Sequence, residues 1–238
     1  QQAVTEGRPA GLVEFGDWDT IYEGLAQLPA QAKQSWFAFD HYYSDLAFPE
    51  VLPLVFKQHP RRLFDVGGNT GKWAIACAKY DPDVKITILD LPGQLNKAYE
   101  NIRDNGLENR IDGFEIDLLD QSQSIPGGAD AIWMSQFLDC FSEPEIIHIL
   151  KTAGAAMTPD TDLYILEPFW NRQQFEASTF SLQATSLYFT CMANGNSKMY
   201  HSEDMYRCLD AAGLTVVEDS DNIGICHTLL RCRSNARQ

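Results

Sequence analysis

The sequence predicts an α/β fold: a doubly wound, mostly parallel sheet of seven strands that closes in a C-terminal antiparallel hairpin and is preceded by a helical cap. Three observations predict it. From residue 61 onward, short apolar runs alternate with amphipathic ones, the βαβα order of a parallel sheet with helices on both faces. A glycine-bearing turn, Asp65-Val66-Gly67-Gly68-Asn69-Thr70-Gly71, joins the first strand of that alternation to its first helix. The last two apolar runs, 214–218 and 227–231, are separated by only a short link, which makes them an antiparallel hairpin on an otherwise parallel sheet.

The elements follow in order. Residues 1–60 read as a helical cap or linker, in which Gly16-Asp17-Trp18 and several prolines punctuate helical segments and an aromatic run occupies 36–43. Residues 61–238 read as the ligand-binding domain. A strand over 62–66 ends in the glycine turn, and 72–79 repeats apolar residues at helical spacing. The β-branched run 84–89 is a strand ending at Asp90-Leu91-Pro92, and the helix over 95–104 is closed by Asn105-Gly106. Strands are predicted at 111–116, 129–134 and 162–166, with a helix over about 144–156. After Glu167 a long aromatic-rich helix spans 175–192, and another ends near Ala211-Ala212-Gly213 before the hairpin.

Composition narrows the classes of function. The 238 residues are 45% hydrophobic and 11% aromatic, enough for one large domain with a buried core. A net charge of −15, from 18 basic against 33 acidic residues, argues against a nucleic-acid partner. Only local basic pairs such as Lys198 with Arg207, or Arg231 with Arg233, offer an exception. No signal-peptide pattern opens the chain, and its apolar runs are too short to span a bilayer, so a soluble protein without a membrane partner is expected. The six cysteines form no CxxC pair and match neither a zinc site nor a disulfide framework. Cys77 and Cys208 read as core residues, the location as reducing and cytoplasmic, and no metal is expected. The chain begins with Gln1, as a fragment or processed chain would.

A glycine turn between strand and helix lets a ligand approach the backbone closely, a signal that many nucleotide enzymes share. Here Asp65 stands just ahead of the glycines. A dinucleotide would set its pyrophosphate at this helix N-terminus, where a carboxylate repels it. S-adenosylmethionine (SAM) has no phosphate and carries an ammonium group, so the acid favours SAM over NAD. Asp90, nineteen positions after Gly71, stands at the end of the next strand, where a carboxylate can accept from both ribose hydroxyls. Asp117-Leu118, where the third strand ends, could accept from the adenine amine and cover its face. Each acid has an alternative as a cap of a helix or turn. Three acids at successive strand ends fit one adenosine site outside the carboxyl ends of the strands.

The runs FDVGGNTG at 64–71, ILDLPG at 88–93 and ADAIWMSQFLDCFSEPE at 129–145 resemble the small-molecule O-methyltransferases of the plant caffeate and bacterial polyketide type, over roughly residues 35–233. The resemblance implies a Rossmann-like fold, SAM as cofactor with S-adenosylhomocysteine (SAH) as product, and no metal. It assigns Gly67, Asp90, Asp117 and Leu118 to the cofactor, with Ser135, a lysine in many relatives, beside the adenine. Asp65, Gly68, Asn69, Gly71, Leu91, Gln136 and Tyr43 complete the expected cofactor set. The resemblance also implies an N-terminal winged-helix domain, absent from this chain, through which the parent protein would form a homodimer.

In the plant relatives a histidine after the fourth strand removes the acceptor's proton. Here Asp139 aligns with that histidine and Glu167 with the carboxylate that orients it. An exposed aspartate, with a pKa of about 3.9, is a weak base for a phenol near 10, but burial beside Glu167 would raise it. The alternative is that Asp139 caps the helix beginning near Glu143. His41, in the aromatic cap, and His227, at the start of the last strand, are the further candidates to touch the acceptor. Aromatic residues including Trp36, Phe39, Tyr42, Phe169 and Tyr188 could line a flat apolar pocket. The expected reaction is therefore methyl transfer to a hydroxyl of a small aromatic or polyketide-like molecule. Ring C-methylation of the aryl-polyene type, and SAM binding without methyl transfer, are the alternatives.

Overall fold

A computed structural model describes residues 1–235, apart from the side chains of Ala26, Phe37, Asp40 and His41. The first sixty residues are helical, as expected: α1 (Gln2–Glu6), α2 (Ile21–Gly24), α3 (Ala30–Ser44) and α4 (Phe48–Val55). There follow β1 (Arg62–Val66), α5 (Lys72–Tyr80), β2 (Lys85–Asp90), α6 (Pro92–Asp104), β3 (Ile111–Glu115), β4 (Ala131–Ser135), α7 (Glu143–Ala156) and β5 (Asp162–Glu167). The chain ends with α8 (Glu176–Tyr188), a π-helical turn (Phe189–Ala193), α9 (Ser202–Ala211), β6 (Leu214–Ile223) and β7 (His227–Ser234).

The seven strands form one sheet in the order β3-β2-β1-β4-β5-β7-β6. All pairings from β3 to β5 are parallel, whereas β7 is antiparallel to both β5 and β6. The chain winds outward from β1 in one direction and from β4 in the other. Their carboxyl ends therefore flank the crevice where ligands bind in open α/β sheets. Apolar residues on the two faces form separate cores, one with Val66, Leu118, Met134 and Leu230, the other with Leu63, Trp73, Ile88 and Trp133. Trp73 of α5 stacks on Trp133 of β4 with ring centroids 4.1 Å apart. Cys77 and Cys208 lie in these cores, as expected.

Two elements differ from expectation. The predicted helix over 175–192 breaks after Tyr188 into the π-helical turn. There the Gly11 N–H donates to the Cys191 carbonyl (2.9 Å), and the N–H groups of Asn194 and Gly195 both return to the Phe189 carbonyl (3.2 and 2.9 Å). The N-terminal segment has thus captured a helix carbonyl, and Leu12, Ile21, Leu25 and Leu28 bury themselves against Phe189 and Ala193. The second difference is β6, which continues to Ile223 rather than ending near 218, because register shifts at Val216/Glu218 and Ser220/Ile223 let it bend while still pairing with β7. The longer hairpin reaches the cap, where the Gly224 N–H meets the Glu50 carboxylate at 3.3 Å.

The local basic pairs are matched to acids. Arg231 and Arg233 both bind Asp162 (3.0 and 2.8 Å). Lys198 and Arg207 bind Glu143 and Asp204. Among the described residues, no helix is long and apolar enough to cross a membrane, and no cluster of ligand side chains could hold a metal ion.

Candidate active site

The crevice begins where β1 ends. The Gly67 N–H still pairs with the Leu89 carbonyl (2.9 Å), after which Gly67, Asn69 and Gly71 all take left-handed backbone angles. Two of the glycines are required by what lies against them. A Cβ on Gly67 would overlap the Phe137 ring, and one on Gly68 would come within 2.6 Å of Asp65 Oδ2 and 2.8 Å of Ile88. The Asp65 carboxyl is therefore tucked under the turn rather than standing at its rim. It is buried, and its Oδ2 has no hydrogen-bond partner. Burial, reinforced by the charge of Asp90 and opposed by the Ala74 backbone N–H, pushes this carboxyl up to about 8.

Gly68→Ala should force Asp65 and Ile88 apart, a steric cost of about 1–3 kcal/mol. Thermal unfolding and titration calorimetry should show lower stability together with weakened SAM binding. Unchanged values would mean that the carboxyl is not fixed under the turn.

Asp90 serves as both cap and candidate ligand. Its Oδ2 accepts the Asn69 N–H and its Oδ1 the Leu91 N–H, each at 2.8 Å, and each oxygen keeps a second lone pair. Burial raises this carboxyl to about 6 despite those two bonds. Asn69 Oδ1 and Ser135 Oγ are also buried without partners.

The third strand-end acid is placed differently. Because β3 stops at Glu115, Asp117 heads a turn in solvent, where its Oδ1 accepts the Leu119 N–H (2.9 Å). Leu118 is packed into the core, while Leu91 is partly exposed. Tyr43, at the end of α3, is half-buried with its ring edge-on to Phe39 and Tyr42.

The second part of the site is the corner after β4. Gln136 adopts a left-handed φ of 46°, which sends Phe137 back over the glycine turn. The N–H groups of Phe137 and Leu138 then donate to Glu167 Oε1 at 3.0 and 2.9 Å. Glu167 is 2% exposed and Asp139, in the 3-10 turn Leu138–Cys140, is 7% exposed. Burial, then the charge of Asp139, holds the Glu167 carboxyl well above the usual carboxylate range, against the backbone N–H groups of 137, 138 and 139. Glu167 Oε2 has no hydrogen-bond partner. The helix cap is a different residue. Ser142 and Glu145 form a capping box at α7, with the Ser142 N–H and Oγ–H donating to the Glu145 carboxylate at 2.8 and 2.7 Å.

The wall beside this acid pair comes from segments far away in sequence. Tyr22 of α2 brings a buried hydroxyl with no hydrogen-bond partner of ordinary geometry. Its ionisation is pushed well up by burial, then by Cys140, Tyr188 and Asp139. Trp36 Nε1–H donates to the Tyr188 hydroxyl (2.9 Å), and the Asn194 amide donates to the Cys140 carbonyl (2.5 Å). Sequence reasoning missed Tyr22, Phe137 and Cys140. The last two lie inside the motif run 129–145, but Tyr22 carries no local signal.

Other expected residues lie elsewhere. Phe39 and Tyr42 are exposed on the outer side of α3, and Phe169 is core. His41 belongs to α3, but its side chain is outside the described residues. His227 is 1% exposed, with Nε2 3.1 Å from Gln136 Oε1. Burial, only partly offset by the Ile223 carbonyl, lowers this imidazole to about 4. It is thus a buried imidazole held against Gln136.

A sheet with this strand order and antiparallel seventh strand, carrying acids at the ends of β1 and β2, defines the methyltransferase class of α/β domains. The chain belongs to the O-methyltransferase domain family, whose profile matches residues 32–215. Among curated relatives, the O-methyltransferase SfmM3 of Streptomyces lavendulae is 25% identical over 224 residues, covering 82% of this chain and 66% of its own length. The 3-hydroxy-5-methyl-1-naphthoate 3-O-methyltransferase of Streptomyces sahachiroi is 31% identical over 166 residues, 70% of this chain and 46% of its own. Among solved structures, the S-adenosylmethionine-dependent methyltransferase SibL superposes with a TM-score of 0.78 at 25% identity, covering 99% of this chain and 68% of that one. The chain thus spans about half to two thirds of the length of these curated relatives.

Proposed function

We propose that this chain binds SAM in the crevice between β1 and β4 and methylates a hydroxyl of a small aromatic acceptor, with Asp139 as the base. The observation that carries the reading is the buried pair Asp139–Glu167, set on a corner that also covers the glycine turn. The crevice suits SAM chemically. Buried polar atoms without partners cost about 1–3 kcal/mol each, and Asp65 Oδ2, Asn69 Oδ1 and Ser135 Oγ, all on or next to the ends of β1 and β4, are three of them. A ligand offering an ammonium to Asp65, a vicinal diol to Asp90 and polar edges to Asn69 and Ser135 would satisfy them. The name of the 3-hydroxy-5-methyl-1-naphthoate 3-O-methyltransferase supports an aromatic hydroxyl as the acceptor.

SAM, when bound, supplies an activated methyl group and a neutral thioether leaving group. The residues of this chain then have two tasks, alignment and deprotonation. Glu167 Oε1 is fixed by backbone N–H groups, and burial beside Asp139 favours the protonated carboxyl, in which Oε2 can carry a donor. That donor can orient Asp139 or the acceptor oxygen. In this reading Asp139 is the member of the pair that accepts the acceptor's proton. Tyr22, Trp36 and Tyr188 form the aromatic wall over which a flat acceptor lies. In this reading residues 1–60 act as the lid of the acceptor pocket.

Calorimetry with SAM, and with NAD as control, should show binding of SAM alone. Incubation with SAM and a hydroxynaphthoate should then yield SAH and an O-methyl product in equal amounts, read by mass spectrometry and NMR. Failure to bind SAM would eliminate the reading. An aryl methyl signal in place of O-methyl would replace it with ring methylation.

A further inference from the structure

We propose that His227 is a positioning residue, which holds the Gln136 side chain and so keeps the corner after β4 in the left-handed conformation on which both halves of the site are built. The proposal rests on the methyltransferase reading above and assigns the corner its support.

A positive φ is disfavoured for any residue with a Cβ, and persists only where the surroundings impose it. Gln136, at φ 46°, has two restraints. Its N–H donates to the Leu166 carbonyl at 3.0 Å, and its side-chain oxygen lies 3.1 Å from His227 Nε2. The first is a bond of the parallel ladder between β4 and β5. The second comes from β7, the antiparallel strand, whose Thr228 pairs with Glu167. The sheet therefore sets the backbone of His227 one residue before the Thr228–Glu167 pair.

The corner carries components on both sides. Before it stands Ser135, whose buried Oγ has no partner. After it come Phe137, whose ring occupies the space left by Gly67, and the two N–H groups that fix Glu167. A relaxation of residue 136 to ordinary backbone angles would move all of these together. His227 is buried, with its Nε2 set on the Gln136 side chain. Burial lowers this imidazole to about 4, and in its neutral Nε2–H tautomer it can donate to Gln136 Oε1.

A double-mutant cycle tests the proposal, because glycine reaches a positive φ without strain. H227L should lower kcat/KM by roughly tenfold to a hundredfold and weaken SAM binding, the range of an interaction worth one to two tenfold steps. H227Q, which keeps a donor for Gln136, should recover most of that loss. In the Q136G background, whatever its own activity, H227L should cost nothing further in SAM affinity or turnover. An equal H227L penalty in both backgrounds would overturn the proposal by giving His227 a role independent of the corner. So would an H227L protein of normal activity, or a folded Q136G protein that binds no SAM. Should H227L fail to fold, a folded H227Q as impaired as Q136L would also overturn it. A wild-type protein that binds no SAM sinks the cofactor reading instead. A wild type that binds and turns over normally, with an additive cycle, sinks only the role of His227.

Discussion

Asp139→Asn should reduce methyl transfer by roughly 10²–10⁴-fold in kcat, the range for loss of a positioned general base, while SAM affinity is retained. The substitution keeps shape and volume and removes only the charge and its capacity to take a proton. In the wild type, Asp139 and Glu167 titrate as a pair. Burial and the charge of Asp139 hold the Glu167 carboxyl well above its ordinary range, so kcat should fall with rising pH through a limb above the ordinary carboxylate range, as Glu167 loses the proton it donates. In the Asp139→Asn protein that limb should move to lower pH, since Glu167 loses the neighbouring charge and titrates lower. The check is a pH–rate profile for both proteins at saturating acceptor. Unchanged turnover in the variant would remove Asp139 from the chemistry. The capping alternative is already answered by Ser142 and Glu145, which cap α7 without it.

Asp65→Asn should weaken SAM binding by about 10–100-fold, as expected for a charge-assisted hydrogen bond of about 1.5–3 kcal/mol, yet stabilise the ligand-free protein at alkaline pH. The sign follows from linkage. The carboxyl titrates at about 8 in the folded protein against an ordinary 3.8. Between those values the folded state holds a proton that the unfolded state has released, so stability falls as pH rises through the window. Asparagine removes that slope. The melting temperature of the variant should exceed that of the wild type at pH 8, with the advantage vanishing toward pH 4. His227 contributes the opposite slope at the acid end. Its folded value of about 4 lies below the ordinary 6.5, so its contribution is complete above about 6.5 and is lost as pH falls toward 4. An ammonium group placed against Asp65 favours the ionised carboxylate. SAM binding should therefore release a proton and tighten between pH 6 and 8 in the wild type alone, which calorimetry in buffers of different ionisation enthalpy can detect. Equal SAM affinity in the two proteins would make Asp65 a structural residue only.

Local pattern made much of the fold legible. The strand over 62–66 falls where expected, and β4 and β5 lie within two residues of their expected limits, because a run buried on both faces is apolar throughout. The hairpin was readable from the short link between its strands, but not the length of β6. Its continuation to Ile223 depends on bulges against β7 and on the cap that the turn meets. The break after Tyr188 was equally hidden. The residues of 175–192 are compatible with continuous helix, and the interruption comes from the Gly11 N–H, brought there by chain folding.

For the site, the residues themselves carried the glycine turn and the acids at 65 and 90, while Asp139 and Glu167 came from the resemblance to the O-methyltransferases. Those identities follow from short-range order, since a turn and its neighbouring strand ends are set within a few tens of residues. What those groups can do chemically was decided only by tertiary structure. Asp65 became a carboxyl under the turn, Asp117 a turn residue in solvent, Asp139 half of a buried pair walled by Tyr22, and His227 a prop behind Gln136. The physical reason is that protonation and accessibility depend on desolvation and on the charges within a few ångströms. Both are supplied here by segments distant in the chain, which no local pattern records.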